Sequence, residues 1–339
     1  MKNQISILVL LSFCLYHCQN NTNKSTKNNN IAKTITEKNM KADLLLDSKS
    51  LLGEGALWNK ETQELYWIDI ENGLFHSYNP KNKENKSIEL GQKVGTVVPT
   101  ENGSVHGSVL VALQDGIYEL DTKTEQKKLL CKRPEPNFPD NRFNDGKCDA
   151  KGRFWVGTIS MKNTPQVAAL YLFDNQGVIT QKADDVTISN GIVWSLDNRK
   201  MYYIDTPTKE VKEYDYDNET GNISFSKIAV KIPEGLGYPD GMTIDSEGMI
   251  WIGMWEGFCV TRWNPMTSEL LMKIEVPVSR VTSCAFGGKN LDILYITTAK
   301  TGASAEELQK YPYSGGLFSV KTGHKGIANF SYKSIKSKE

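Results

Sequence analysis

The run Leu65-Tyr66-Trp67-Ile68 decides the fold, because five similar β-type runs follow it at nearly constant intervals along the 339-residue chain. These runs are Val109-Leu110-Val111-Ala112, Phe154-Trp155-Val156-Gly157, Met201-Tyr202-Tyr203-Ile204, Ile250-Trp251-Ile252-Gly253 and Leu294-Tyr295-Ile296-Thr297. The marker residues of the six copies are Tyr66, Leu110, Trp155, Tyr202, Trp251 and Tyr295. Successive markers are 44, 45, 47, 49 and 44 residues apart. A period of about 45 residues is typical of one four-stranded propeller blade. The sequence therefore predicts an all-β protein, a six-bladed β-propeller.

Each run is followed by a polar or glycine-containing turn and then by a second alternating strand, such as Leu74-Phe75-His76-Ser77-Tyr78. Period-two alternation with aromatic residues indicates half-buried strands. Helical signals are weak, apart from one expected turn of helix at 304–310. A propeller ring must be closed to remove exposed strand edges, so we expect 42–46 or 327–332 to complete the last blade.

Composition excludes several kinds of site. The chain has 40 Lys plus Arg and 40 Asp plus Glu, so no excess positive charge indicates nucleic acid as a partner. Only four His occur, which argues against a His-rich zinc or copper site. Hydrophobic residues make up 39% of the chain, which is enough for a large core.

The N-terminus has the pattern of an export signal. One cation precedes an apolar run at 5–16 that is too short to span a bilayer, which predicts a signal peptide at 1–17. Cys18 then follows Leu15-Tyr16-His17, which resembles a bacterial lipoprotein box except for His17. An Asn-, Thr- and Lys-rich stretch predicts a disordered tether at 18–41, before a propeller domain at 42–335. We expect a periplasmic or membrane-anchored bacterial lipoprotein that touches the membrane only through the lipid; simple secretion and a cytoplasmic location are the alternatives.

Polar residues recur at one position upstream of the markers. Glu54-Gly55 lies 12 residues before Tyr66, and the corresponding residues of other copies are Asn144, Asn190 and Asp240. Ser283 is the corresponding residue of the sixth copy, whereas the second has Val98. Equivalent positions of a propeller are related by rotation, so these side chains should point at one spot on the central axis. Two carboxylates and two carboxamides suit a hard divalent cation, which predicts a metal site in the central channel.

Turn formation is the alternative explanation for this pattern. Asn-Gly and Asp-Gly are the commonest hairpin signals, so a β repeat could place them periodically without any metal. Glu54 favours the metal site, because Glu is not a turn former. Turn chemistry better explains the Asp-x-x-Gly segments that begin at Asp149 and Asp245.

Several of these segments resemble the signature segments of the gluconolactonase/regucalcin (senescence marker protein) family. They are Gly53-Glu54-Gly55-Ala56-Leu57-Trp58, Asn141-Arg142-Phe143-Asn144-Asp145-Gly146-Lys147, Ile188-Ser189-Asn190-Gly191 and Pro239-Asp240-Gly241-Met242. The resemblance implies a six-bladed propeller of metal-dependent sugar lactonases. It further implies that Glu54, Asn190 and Asp240 bind the ion, with Ca²⁺ first and Mg²⁺, Mn²⁺ or Zn²⁺ as alternatives. By the same resemblance Arg142 and Asn144 bind the substrate, a small sugar lactone, and no protein partner is implied.

The sequence departs from the vertebrate members of that family at one place. Those members carry a substrate-contacting Glu after a Gly-Thr-Met segment, whereas Gly157-Thr158-Ile159-Ser160 leads here to Met161 and Lys162. The preferred sugar is therefore open. Lys147 and Lys162 could line the rim of the site, although surface positions are the simpler expectation for both.

The expected reaction is hydrolysis of the lactone ester. The ion would polarise the carbonyl and acidify a water molecule, with Asp240 as the general base and Arg142 and Asn144 holding the substrate. A non-catalytic calcium-binding propeller is one alternative, and a metal-dependent esterase or phosphotriesterase is another. Propellers of the latter kind often place a His at the site, where only His106 is available. A serine hydrolase is disfavoured because the chain has no G-x-S-x-G segment.

Overall fold

Six sheets of four or five strands form the molecule in the computed structural model, which describes residues 40–101 and 107–334. Blade 1 contains β3 (Gly53–Asn59), β4 (Glu64–Asp69), β5 (Leu74–Asn79) and β6 (Glu84–Glu89). Blade 2 contains β7 (Val94–Pro99), β8 (Ser108–Leu113), β9 (Gly116–Asp121) and β10 (Lys127–Lys132). Blade 3 contains β11 (Asn141–Cys148), β12 (Phe154–Ser160), β13 (Ala168–Phe173) and β14 (Ile179–Val186).

The remaining blades complete the ring. Blade 4 contains β15 (Ser189–Trp194), β16 (Lys200–Asp205), β17 (Glu210–Asp217) and β18 (Asn222–Lys231), with a 3-10 helix at Thr206–Thr208. Blade 5 contains β19 (Tyr238–Ile244), β20 (Ile250–Trp255), β21 (Cys259–Asn264), β22 (Glu269–Glu275) and an added β1 (Met40–Lys41). Blade 6 contains β23 (Val281–Gly287), β24 (Ile293–Thr298), β25 (Leu317–Val320) and β2 (Asp43–Leu46). The predicted six-bladed propeller is confirmed.

Two short strands near the N-terminal end of the described chain complete the last two blades. Strand β2 pairs antiparallel with β25, and β1 pairs parallel with β22. The first of the two predicted closures, at 42–46, is therefore confirmed, whereas segment 327–332 contributes only a bridge between Tyr332 and Thr100. Because Met40 and Lys41 also pair in a sheet, strand pairing begins two residues before the expected start at 42. This shared sheet closes the ring and covers strand edges.

The apolar runs found in the sequence are all second strands of their blades, and their central residues are buried. Large aromatic side chains from these and adjacent strands pack neighbouring blades together. Trp58 stacks on Tyr295 with ring centroids 5.6 Å apart, and Trp251 meets Phe286 edge to face at 5.3 Å. Each such pair contributes about 0.5–1.5 kcal/mol beyond the burial of its area.

One short helix interrupts the β architecture. Helix α1 (Ala305–Lys310) begins after Ser304, whose side-chain oxygen accepts a hydrogen bond from the Glu307 N–H at 3.1 Å. The expected helical turn at 304–310 is confirmed. No helix within the described residues is long and apolar enough to cross a membrane. The predicted signal peptide, Cys18 and the tether up to residue 39 lie outside the described residues.

Candidate metal centre

Each of the six innermost strands contains a bulge at the same point, where its pairing with the second strand shifts register. The residues at the equivalent positions are Glu54, Gly95, Asn144, Asn190, Asp240 and Thr282. In five strands the residue lies within the shift, where a bulge releases it from the ladder and redirects its side chain, whereas Glu54 still pairs with Ile68 and the shift follows it. The structure thereby brings the four predicted residues Glu54, Asn144, Asn190 and Asp240 together around one cavity.

The strand register corrects two of the positions inferred from sequence spacing. Pairing of β23 with β24 places Thr282, not Ser283, at the equivalent position of the sixth blade. In the second blade Val98 pairs with the marker Leu110, and the bulge lies at Gly95. Spacing failed here because it counts the residues of the intervening hairpin, whose length differs between blades.

The glycines of the Asn-Gly and Asp-Gly pairs lie inside strands β15 and β19 and not in hairpin turns. A Cβ atom on Gly191 would lie 2.8 Å from the backbone oxygen of Asp240, and one on Gly241 would lie 2.9 Å from the Cα of Ser283. Neighbouring inner strands can therefore approach closely only because these residues have no side chain. The turn interpretation is wrong for these two pairs.

Two carboxyl groups, those of Glu54 and Asp240, face each other in the buried floor of the cavity. Burial first, and then the charge of Asp145, raises the pKa of Glu54 to about 8. The pKa of Asp240 is raised well above its ordinary value, first by burial and then by the charges of Glu54 and Asp145. Like charges in a desolvated place are unfavourable unless a proton or a cation offsets them.

Hydrogen bonds fix the orientation of the two carboxamides. The Nδ2 atom of Asn144 donates to Asn190 Oδ1 at 3.0 Å and to the Ser189 carbonyl at 2.7 Å. Asn190 Nδ2 donates to the hydroxyl of Thr206 at 2.8 Å. Arg142 Nη1 donates to Asn144 Oδ1 at 2.7 Å, which ties the two predicted substrate-binding residues together. Burial lowers the pKa of Arg142 to about 10, so its guanidinium remains a cation at neutral pH.

The cavity above these groups has a volume of about 420 Å³. All five predicted site residues line it, together with residues that the sequence did not identify. These are Leu52, Ile70, Ile159, Asn163, Ile188, Thr206, Pro207, Tyr238, Trp255 and Glu256. Lys162 does not line the cavity; it forms an ion pair with Asp140 at 2.8 Å on the surface, as expected.

Lys147 departs from the expectation of a surface residue. Its Nζ atom donates to the Met242 carbonyl at 2.7 Å. Strand β11 belongs to blade 3 and β19 to blade 5, so blade 4 lies between them. The side chain therefore reaches across the central channel. Burial lowers the pKa of Lys147, and the neighbouring Asp145 opposes that change. The chain pattern gave no signal for this position, because the contact joins residues 95 apart.

The donor set fits a hard divalent cation. Asp240 Oδ1 is buried and has no hydrogen-bond partner, and the adjacent Glu54 carboxylate adds a second negative charge. Asn190 supplies a carboxamide oxygen whose second lone pair is free after the bond from Asn144. Across the described part of the chain, no group of three or more His, Cys, Asp or Glu side chains could hold a metal. A centre built from two carboxylates and one carboxamide is consistent with that finding.

The other polar residues discussed above have different surroundings. Asp149 and Asp245 are buried and accept bonds from their own turns and from the indoles of Trp155 and Trp251, as the turn interpretation predicted. His76 stacks on Trp67, and His324 contacts Glu247; neither lines the cavity. His17 and His106 lie outside the described residues.

Comparisons with known proteins agree on one family. The family described as the SMP-30/gluconolactonase/LRE-like region matches residues 52–300. A protein of Bacillus subtilis (strain 168) with the provisional name sugar lactone lactonase YvrE is 36% identical over 282 residues, covering 83% of this chain and 95% of that protein. Regucalcin of Danio rerio is 36% identical over 296 residues, covering 86% and 98%.

Solved structures agree with the fold. A luciferin-regenerating enzyme superimposes with a TM-score of 0.79 at 32% identity, covering 84% of this chain and 96% of that one. A regucalcin from Agrobacterium tumefaciens str. C58 superimposes with a TM-score of 0.81, covering 86% and 97%. Because the latter is only 24% identical, it demonstrates the shared architecture alone.

Proposed function

The chain belongs to the SMP-30/gluconolactonase/LRE-like family, and from this premise we propose that it is a divalent-metal-dependent lactonase that opens sugar lactones to aldonic acids. The family of gluconolactonase- and regucalcin-like lactonases supports hydrolysis of sugar lactones in general. The observation that carries the proposal for this chain is the convergence of Glu54, Asn190 and Asp240 beside Arg142 and Asn144 in one cavity.

The proposed ion is Ca²⁺, held by Glu54, Asn190 and Asp240. Oxygen donors suit Ca²⁺, Mg²⁺ and Mn²⁺, and Zn²⁺ is a further candidate. A donor set made of carboxylate and carboxamide oxygens makes Ca²⁺ the first choice. When bound, the cation supplies Lewis-acid polarisation of the lactone carbonyl and a water molecule of lowered pKa.

The residues around the ion divide the remaining work. Asp240 has two carboxylate oxygens, so one can bind the cation while the other accepts the proton of the attacking water. Arg142 has donors beyond Nη1 that can stabilise the negative charge developing on the carbonyl oxygen. Asn144 orients Asn190 and contacts the substrate from the border of the ion site.

A lactone panel crossed with Ca²⁺, Mg²⁺, Mn²⁺ and Zn²⁺ tests the proposal in a pH-stat. We expect ion-dependent hydrolysis that Asp240→Asn and Glu54→Gln abolish, because each removes a negative ligand. Val178→Thr, on the exposed surface of the third blade, is the matched control. Chelator-treated protein that is as active as metal-loaded protein on every lactone would contradict the proposal.

A non-catalytic calcium-binding propeller is the principal rival, because the same oxygen donors would hold an ion whether or not a substrate reacts beside it. The variant Arg142→Ala separates the two functions. An enzyme should lose most of its turnover while its affinity for the ion stays nearly constant. A binding protein has no turnover to lose. Aryl esters and phosphotriesters in the same panel test the esterase alternative.

We also propose that the chain is exported and anchored through Cys18, as the sequence pattern of 1–17 predicts. Cells that express the wild type and Cys18→Ser are labelled with a radioactive fatty acid. Label in the wild type and none in the variant would support the lipoprotein; equal absence of label would favour simple secretion.

A further inference from the structure

The proposed lactonase site has a polar floor and an apolar wall. The floor residues Glu54, Arg142, Asn144, Asn190 and Asp240 are each only 5–7% exposed. Above them stand six apolar or aromatic side chains that are half-buried or exposed: Leu52, Ile159, Ile188, Pro207, Tyr238 and Trp255. We call these six residues the apolar collar. A substrate must pass the collar before its reacting bond reaches the floor.

The collar comes from several blades and not from one loop. Leu52 precedes β3 of the first blade, Ile159 lies in β12 of the third, and Trp255 ends β20 of the fifth. Ile159 and Ile188 form a backbone bridge between two adjacent blades, which holds their side chains in place. Strands and their ends position these groups, so the apolar surface is a fixed part of the cavity.

Four collar residues, Leu52, Ile159, Ile188 and Pro207, offer no side-chain hydrogen-bonding group to a sugar hydroxyl, whereas Tyr238 and Trp255 each offer one. Thr206 lines the cavity, but its hydroxyl already accepts from Asn190 Nδ2 and donates to the Pro239 carbonyl at 2.8 Å. The other polar residues of the wall, Asn163 and Glu256, are exposed. A hydroxyl carried into contact with Leu52, Ile159, Ile188 or Pro207 would lose water without gaining a full set of partners, which is unfavourable.

We propose that the lactone bound here presents an apolar substituent, and not a hydroxylated tail, to the apolar collar. This inference rests on the proposed lactonase function and narrows its substrate class. The lactone carbonyl lies at the floor, where the charged and amide groups are, so the ring substituents point outward to the collar. Among sugar lactones, a 6-deoxy lactone has this property, because a methyl group replaces its terminal hydroxymethyl.

Two matched pairs of lactones test the proposal with metal-loaded protein. The first pair is L-galactono-1,4-lactone and its 6-deoxy analogue, which differ by one hydroxyl. The second is δ-valerolactone and δ-decalactone, which differ by a pentyl chain beside the ring oxygen. We expect kcat/KM to be at least about tenfold higher for the more apolar member of each pair, since pocket discrimination by one such group is typically of this size.

A collar variant assigns the preference to these residues. Ile159→Thr combined with Ile188→Thr keeps the branched shape that strands favour but adds two hydroxyls. We expect the ratio of kcat/KM between the apolar and the polar member to fall about tenfold. Val178→Thr makes the same kind of change at a residue that is 52% exposed in the same blade as Ile159, and it should leave the ratio unchanged.

The outcomes separate this inference from the function on which it rests. If the hydroxylated or unsubstituted member of either pair is the better substrate, the apolar specificity is wrong while the lactonase stands. A ratio that survives the double substitution also overturns the role of the collar. If none of the four lactones is hydrolysed with any of the ions, the lactonase proposal fails, and the inference fails with it.

Discussion

The hydroxyl group of Thr206 forms two hydrogen bonds. One partner, Asn190, is a predicted ligand of the cation, and the other, Pro239, is the residue before the predicted ligand Asp240. The hydroxyl accepts a hydrogen bond from Asn190 Nδ2 and donates one to the carbonyl of Pro239, the residue before Asp240. It therefore holds the carboxamide so that Oδ1 faces the axis, and it ties the fourth blade to the fifth. Groups that orient metal ligands in this way typically affect affinity strongly.

The variant Thr206→Val tests this role, because valine keeps the shape and removes the hydroxyl. We expect the affinity for Ca²⁺, measured by isothermal titration calorimetry, to fall about 10–100-fold. Thr208→Val is the matched control, since its hydroxyl bonds the Asp205 carbonyl in the same 3-10 helix. Equal affinities for wild type and Thr206→Val would show that Asn190 needs no such support.

The bulge in each inner strand is the structural element that directs the site residues to the axis. A regular strand would keep all its residues in the ladder, whereas the bulge releases one residue and turns its side chain to the axis. The glycine that follows Asn190 and Asp240 then lets the next strand approach. The same local feature, repeated around the ring, brings the predicted ligands together from separate blades.

The variant Gly191→Ala should disturb two strands at once, because its Cβ atom would lie 2.8 Å from the Asp240 backbone oxygen. We expect a loss of about 1–3 kcal/mol in the free energy of unfolding, measured with denaturant, together with weaker binding of Ca²⁺. Gly235→Ala is the control for ion binding: no atom lies within 4 Å of its added Cβ, so the strain at its φ of +84° lowers stability without displacing a neighbouring strand. If Gly191→Ala binds Ca²⁺ as the wild type does, the close approach is not needed for the site.

The ring of six blades concentrates negative charge at its axis. Folding brings Glu54, Asp145 and Asp240 from three blades into a buried space, where burial raises all three pKa values and repulsion by neighbouring carboxylates adds to the rise for Glu54 and Asp240. Lys147 reaches in from the same strand as Asp145 and offsets part of that charge. The protein without its ion is therefore expected to carry a stability cost that a bound cation removes.

This cost predicts how stability depends on pH. The pKa of Glu54 is about 8 in the folded chain against 4.5 for an unperturbed glutamate, so the folded state holds a proton that the unfolded state has released. The free energy of unfolding of chelator-treated protein should therefore fall as pH rises from about 5 to 8, since the state with more bound protons loses stability. The stabilisation by added Ca²⁺ should grow over the same range.

The variant Glu54→Gln isolates this contribution from opposing ones. His76, whose pKa is lowered to about 4 by burial, favours the folded state as pH rises towards 6.5. That effect is common to the wild type and the variant, so the difference between their thermal unfolding curves should report Glu54. A difference that is constant between pH 5 and 8 would contradict the raised pKa.

The amino-acid pattern alone specifies the architecture and predicts which polar residues gather at its axis. Apolar runs at a near-constant interval specify six blades, because every blade must bury its second strand in the same way. Rotation about the axis then relates equivalent positions, so Glu54, Asn144, Asn190 and Asp240 could be placed together from spacing. Glu54 was the residue that favoured a metal site over turns. It occupies the position held by the Asn of Asn-Gly and the Asp of Asp-Gly in other blades, and a turn does not require a Glu there.

The contacts that hold these residues, and the side chains that surround them, could be identified only in the folded structure. Lys147 contacts a carbonyl 95 residues away, Asn144 a carboxamide 46 away, and Asn190 a hydroxyl 16 away. The apolar collar likewise gathers side chains from separate blades. No local period encodes such contacts, because they depend on the register of the bulges and on the lengths of the loops. These features vary between blades even where the repeated strand pattern does not.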